Sequence, residues 1–180
     1  MRKRIAFVGG VHGVGKSVFC SKLSEKFEFD HIIASSLINR VHHIDLKNKS
    51  VTNIENNQLI LAQEIANYRT EKNTILLDGH FCLLDTFSNI QELPLEIFKA
   101  ISPFVLFLLV DKPSTIARRL SKRDGREYSS EFVSIFQERE IKWAGSVGAA
   151  INAPIRIIDL SLDYKDIVND VSLFLCTEGH

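Results

Sequence analysis

The chain predicts an α/β fold, a five-stranded parallel sheet with helices on both faces. Five short runs, at 4–9 (RIAFVG), 29–34 (FDHIIA), 74–78 (TILLD), 104–110 (FVLFLLV) and 154–160 (PIRIIDL), are dominated by apolar residues and do not alternate cleanly. Strands that bury both faces read this way. Between them lie stretches with helical spacing of apolar residues, and strands alternating with helices imply a covered parallel sheet.

The elements follow in order. After the first strand, residues 16–27 place Val18, Phe19, Leu23 and Phe27 at helical spacing. Residues 36–43 and about 55–70 read as helices, the second with Leu59, Ile60, Ala62, Ile65 and Ala66 on one side. The third strand ends on Asp78. The fourth is followed by Pro113, which suits the first turn of a helix reaching Leu120. Helices over 130–145 and 163–175 flank the fifth strand. Repeats, linkers and low-complexity segments are not visible.

With 180 residues, 45% of them hydrophobic, the chain is expected to form one domain over 1–180. A chain of this size buries roughly 70% of its unfolded surface, so it needs no disulfide or metal to hold its core. Basic and acidic residues balance at 22 each. That argues against a nucleic-acid or anionic-membrane partner and leaves room for a local anion site. Cys20, Cys82 and Cys176 are odd in number and lack metal-ligand spacing. They read as small buried apolar residues in a reducing compartment, not as a disulfide framework or a zinc site. No signal peptide or membrane span is visible, and a cytoplasmic location is expected.

Residues 9–17 (GGVHGVGKS) crowd four glycines and a lysine between the first strand and the first helix. Fixed glycine costs backbone entropy, so the cluster points to a bend that side chains would obstruct. The pattern Gly10-x-x-x-x-Gly15-Lys16-Ser17 matches a phosphate-binding loop in its required strand-to-helix context. Inward-turned amides form an anion nest, and the helix N-terminus adds its dipole. Lys16 can then reach β- and γ-phosphates, and Ser17 can take a place on Mg²⁺. His12 is given no role at this point.

With these residues the chain resembles the P-loop nucleoside monophosphate kinases, most closely the archaeal-type adenylate kinases. The resemblance implies a P-loop NTPase fold of strand order 2-3-1-4-5 with a short lid at about 121–130. It makes Gly10, Gly13, Val14, Gly15, Lys16, Ser17, Val18 and Arg119 the ATP site. In ILLDGH at 75–80, Asp78 matches the carboxylate that holds Mg²⁺ through water, alongside Ser17; His80 falls at the archaeal-type position. ASSLINR at 34–40 offers Ser35 and Arg40 for the acceptor phosphate, within an acceptor region of about 35–70. The basic cluster RRLSKRDGRE at 118–127 supplies Arg119, Arg123 and Arg126 as lid arginines, with Arg139 as a returning lid-side arginine. Lys16, Arg119, Arg123 and Asp78 would be the catalytic set, and the loop after strand five would pack the adenine.

The activity so implied moves the γ-phosphoryl of Mg-ATP to a nucleoside monophosphate. A second reading changes the acceptor to a nucleoside or other small hydroxyl metabolite, which needs a general base such as Asp78 or His80. A third is an ATP-binding regulatory protein that hydrolyses slowly. GTP is disfavoured because Val110-Asp111-Lys112-Pro113 lacks the asparagine of a guanine motif. An AAA-type motor would need a longer chain.

Overall fold

The computed structural model describes residues 4–37, 54–85 and 87–177. Its main sheet has five parallel strands, β1 (Arg4–Gly9), β2 (Asp30–Ile33), β3 (Thr74–Asp78), β6 (Val105–Val110) and β7 (Ile155–Asp159), in the order β2-β3-β1-β6-β7. Counted among themselves these strands run 2-3-1-4-5, as the resemblance implies. Helices α1 (Lys16–Phe27), α2 (Ile54–Asn67), α4 (Pro113–Asp124) and α5 (Ser130–Ile151) lie in the crossovers between strands, and α6 (Tyr164–Thr177) follows the last strand.

Central position explains the apolar runs. β3 is buried throughout and β6 in all but its last residue, whereas the edge strands β2 and β7 keep exposed positions. Register sets the carboxyl edge: Val8 pairs with Asp78, and Gly9 with Leu108. The glycine bend and the acidic end of β3 therefore emerge side by side.

Three elements lie outside the sequence expectation. Strands β4 (Cys82–Leu84) and β5 (Ile90–Glu92) form a separate antiparallel pair, and helix α3 (Leu95–Ile101) follows them. Three-residue strands are too short to display a period, and a seven-residue helix barely completes one. Elsewhere boundaries move. α2 stops at Asn67 instead of about 70. α5 continues to Ile151, because Val147 and Gly148 remain buried beyond the expected end at 145. α4 runs to Asp124, so the first four residues of the expected lid are helix. Gly125 ends it in a left-handed conformation, donating its N–H to Ser121 O at 3.0 Å.

One aromatic cluster bears directly on the site. Phe7, Phe81 and Phe98 meet with centroids 4.9–5.3 Å apart, Phe81 stacked on Phe98 and edge-on to Phe7. Such pairs contribute about 0.5–1.5 kcal/mol each beyond burial. Phe81 is fully buried, so it pins the turn after β3 and with it the neighbouring His80.

Candidate active site

The bend between β1 and α1 has room for little besides glycine. Gly10 has φ +144°, and a Cβ there would lie 2.7 Å from the Leu109 carbonyl oxygen. Gly13 has φ +79°, and its Cβ would lie 2.8 Å from Leu120 Cγ. Both positions combine a backbone that L side chains avoid with no space for a side chain. Lys16 opens α1 and is only 7% exposed. Its ammonium donates to Gly10 O at 2.7 Å and Val11 O at 3.2 Å. Its third neighbour is His80 Nε2 at 3.0 Å, which must present a lone pair to it. Burial lowers the lysine's pKa, and the carboxylates Asp78 and Glu140 oppose that.

Across the bend, Ser17 Oγ donates to Asp78 Oδ2 at 2.7 Å. A hydroxyl and a carboxylate converging beside a phosphate cradle are hard oxygen donors of the kind Mg²⁺ takes, so these two residues fit that ion.

Arg119 is held by a polar chain. Its Nη1 donates to Val14 O at 2.9 Å and to Asp111 Oδ2 at 2.8 Å. Asp111, buried at the end of β6, exchanges two hydrogen bonds with the Gln137 side chain of α5, both 3.2 Å. Helix α5 thus steadies the guanidinium against the bend. Arg119 also lines a cavity of about 370 Å³ with Val14, Gly15, Val18, Leu160 and Tyr164. That cavity brings the loop after β7 against the start of α1, and it is this loop that the resemblance expects to pack the adenine.

The remaining arginines have other partners. Arg123 pairs with Asp124, its Nη2 donating to Oδ2 at 2.9 Å. Arg126 donates to the Tyr128 hydroxyl at 2.9 and 2.6 Å. Both line a second cavity of about 230 Å³ together with His12, Tyr128, Phe132 and Phe136. Arg139 departs from the lid-side position expected of it. Its Nε donates to Glu92 Oε1 of β5 at 2.9 Å, and it lines neither cavity. The reason is the β4–β5 hairpin, which brings an acidic partner to that face of α5. Ser35 is exposed on the helical residues 34–37. Arg40 and most of the stretch expected to cover the acceptor, 41–56, fall outside the described residues.

Two groups that sequence reading left aside belong to this centre. His12 packs on His80 with ring centroids 4.0 Å apart. Glu140, three positions beyond Gln137 on α5, is fully buried; its Oε2 accepts from Phe81 N–H at 3.1 Å and its Oε1 has no hydrogen-bond partner. Burial pushes its carboxyl up to about 7, although Lys16 and the amides of Cys82 and Phe81 pull the other way. Asp111 had a legible signal, a carboxylate closing an apolar strand as Asp78 does. Glu140, amid a helix of mixed composition, had none.

The histidines give a pH prediction. Burial, then Lys16 and Arg123, lower His12 from 6.5 to about 4. Burial, Lys16 and His12 hold His80 well below 6.5. A folded value below the unfolded one means stability is complete above 6.5 and is lost as pH falls through about 4. The melting temperature should therefore drop across that window, and His12→Asn should flatten the drop. An identical profile in the variant would remove His12 as a cause.

A glycine cradle, a buried lysine and a serine–aspartate pair at the carboxyl edge of a 2-3-1-4-5 sheet define the P-loop NTPase fold. A family model described as the AAA domain matches residues 9–133. That is more than half of the sequence, and the chain belongs to this family. No curated protein matches it. Among solved structures, a gluconokinase from Sinorhizobium meliloti is similar at 13% identity and TM-score 0.54, over 99% of this chain and 100% of its own. A sugar kinase from Janibacter sp. is similar at 13% identity and TM-score 0.56, over 97% and 95%. These likenesses are of fold. They extend along whole chains of comparable length, and neither singles out the adenylate kinase branch. Among the described residues, no helix is long and apolar enough to cross a membrane.

Proposed function

We propose that this chain is a P-loop kinase that transfers the γ-phosphoryl of Mg-ATP to a hydroxyl group of a small metabolite. The observation that carries the reading is His80 Nε2, 3.0 Å from Lys16 Nζ in the glycine bend. A hydroxyl acceptor must lose a proton on transfer, whereas a monophosphate acceptor has none to lose at neutral pH. Burial and Lys16 keep His80 neutral, so its Nε2 carries a lone pair that is free to accept a proton once Lys16 turns to phosphate. The kinase names of both structural neighbours agree with this acceptor class better than with a nucleoside monophosphate.

In this reading the amides of residues 10–16 and Lys16 grip the β- and γ-phosphates, while Ser17 and Asp78 hold Mg²⁺. Bound Mg-ATP supplies the phosphoryl group, whose bond to the bridging oxygen breaks as its bond to the acceptor oxygen forms, with ADP as the second product. Lys16, drawn to phosphate, releases Nε2 of His80 to take the acceptor's proton. Val14, Gly15, Val18 and Arg119 border the base and ribose end. Arg123, Arg126 and Tyr128 stand at the second cavity, next to His12, where the acceptor would enter. Residues 125–129 between α4 and α5 are the short lid, within one catalytic domain.

A transfer screen with Mg-ATP decides the acceptor. Polyols, sugar acids, nucleosides and nucleoside monophosphates are each offered, with hydrolysis alone as the blank. Turnover of a hydroxyl metabolite that falls about 10²-fold or more in His80→Asn is expected. Efficient turnover of a monophosphate, unchanged in that variant, would restore the nucleotide-kinase reading. Hydrolysis with no transfer would point to the regulatory alternative.

A further inference from the structure

Behind the serine–aspartate pair lies a donor set that shares Asp78 with it and adds two side chains that phosphate binding does not use. Cys20 follows Ser17 by three positions and so shares its face of α1. On the sheet, His31 pairs with Leu76, and Asp78 lies two residues further along β3. Side chains repeat every second residue, so His31 and Asp78 share one face. These three side chains meet beneath α1. The Cys20 sulfur, a His31 ring nitrogen and an Asp78 oxygen all lie within 4.8 Å of one another.

The histidine is the telling member. Its Nε2 is buried without a hydrogen-bond partner, and it sits 3.6 Å from Asp78 Oδ2, too far for a hydrogen bond. Its Nδ1 faces Ser21 Oγ at 3.5 Å, an outer contact that leaves the Nε2 lone pair directed inward. An unsatisfied buried nitrogen, a buried sulfur and a carboxylate are the donors of a borderline-soft divalent ion. Zinc bonds of about 2.0–2.3 Å put tetrahedral ligand atoms roughly 3.3–3.8 Å apart. His31 and Asp78 already stand at that separation, and a contraction of about 1 Å brings in the sulfur.

We propose that Cys20, His31 and Asp78 form a binding site for Zn²⁺, with the fourth position on the side of Ser17. A proton leaves the Cys20 thiol as the metal enters, so affinity rises with pH. The site shares Asp78 with the Mg²⁺ position. On the kinase reading above, zinc bound here withdraws that carboxylate and inhibits transfer.

The full chain, free of nucleotide and Mg²⁺, is titrated with Co²⁺ as a spectroscopic stand-in for zinc under anaerobic conditions. The expected result is a thiolate-to-cobalt charge-transfer band that saturates, disappears on adding Zn²⁺ and survives Cys82→Ala. Cys20→Ala should abolish the band, and His31→Asn should weaken cobalt binding about 10-fold or more. No band in the wild type, or a band that persists in Cys20→Ala, overturns the proposal. Should the alanine variant fail to fold, His31→Asn decides, since undiminished cobalt affinity there also overturns it. The spectrum requires no catalysis, so its outcome is independent of the acceptor screen.

Discussion

Lys16→Met is expected to lower phosphoryl transfer by about 10²–10³-fold or more while leaving the protein folded. Lys16 is the single cation buried in the glycine bend, and methionine keeps the length of its side chain without the charge. Transfer of a phosphoryl group relies on fixed positive charge rather than on a covalent partner, so losing this ammonium removes stabilisation directly. Folding responds differently. Burial already lowers the lysine's pKa, which means that the fold bears a cost for its charge. The melting temperature of the variant should equal or exceed that of the wild type. Near-wild-type turnover in a folded Lys16→Met protein would dismiss the bend as the phosphate site, whatever the acceptor.

Glu140→Gln should stabilise the protein at pH 8 and lose that advantage in acid. The carboxyl stands at 4.5 when unfolded and about 7 when folded. A raised folded value places its stabilising contribution below 4.5, and that contribution is lost as pH climbs through 7. Glutamine does not titrate, and its oxygen can still accept from Phe81 N–H. The gap in stability between the two proteins should therefore widen steadily from pH 4 to pH 8. Thermal melts of both proteins from pH 4 to 8 measure it, and curves that stay parallel would contradict the assignment. Glu140→Ala is destabilising at every pH, because it strands the Phe81 amide and opens a cavity, a loss of about 1–3 kcal/mol from the amide alone.

Both predictions concern the same polar seam, whose two sides differed in how readable they were. The bend declares itself, since Gly10, Gly15, Lys16 and Ser17 are neighbours in sequence and their spacing is the geometry. Asp78 is nearly as plain, as the acidic end of a solid apolar strand. Arg139 misled because its place on α5 says nothing of the hairpin facing it. That hairpin, built from β4 and β5, leaves no periodic trace, yet it supplies Glu92 and takes the arginine away from the lid. Trp143, one turn on, donates to Leu93 O at 2.9 Å and fastens the same segment. The cysteines teach a similar lesson. Spacing along the chain shows no zinc motif among them, and Cys20 meets His31 and Asp78 only through the sheet.

By itself the sequence determined what short-range physics controls: where the five strands of the main sheet and the long helices lie, and which loop can cradle an anion. Tertiary structure alone decided that Lys16 meets a histidine 64 positions away, that Glu140 is sealed behind the bend, and that Cys20, His31 and Asp78 converge. Strand order and register create those meetings, and neither is written in the periodicity of any one segment.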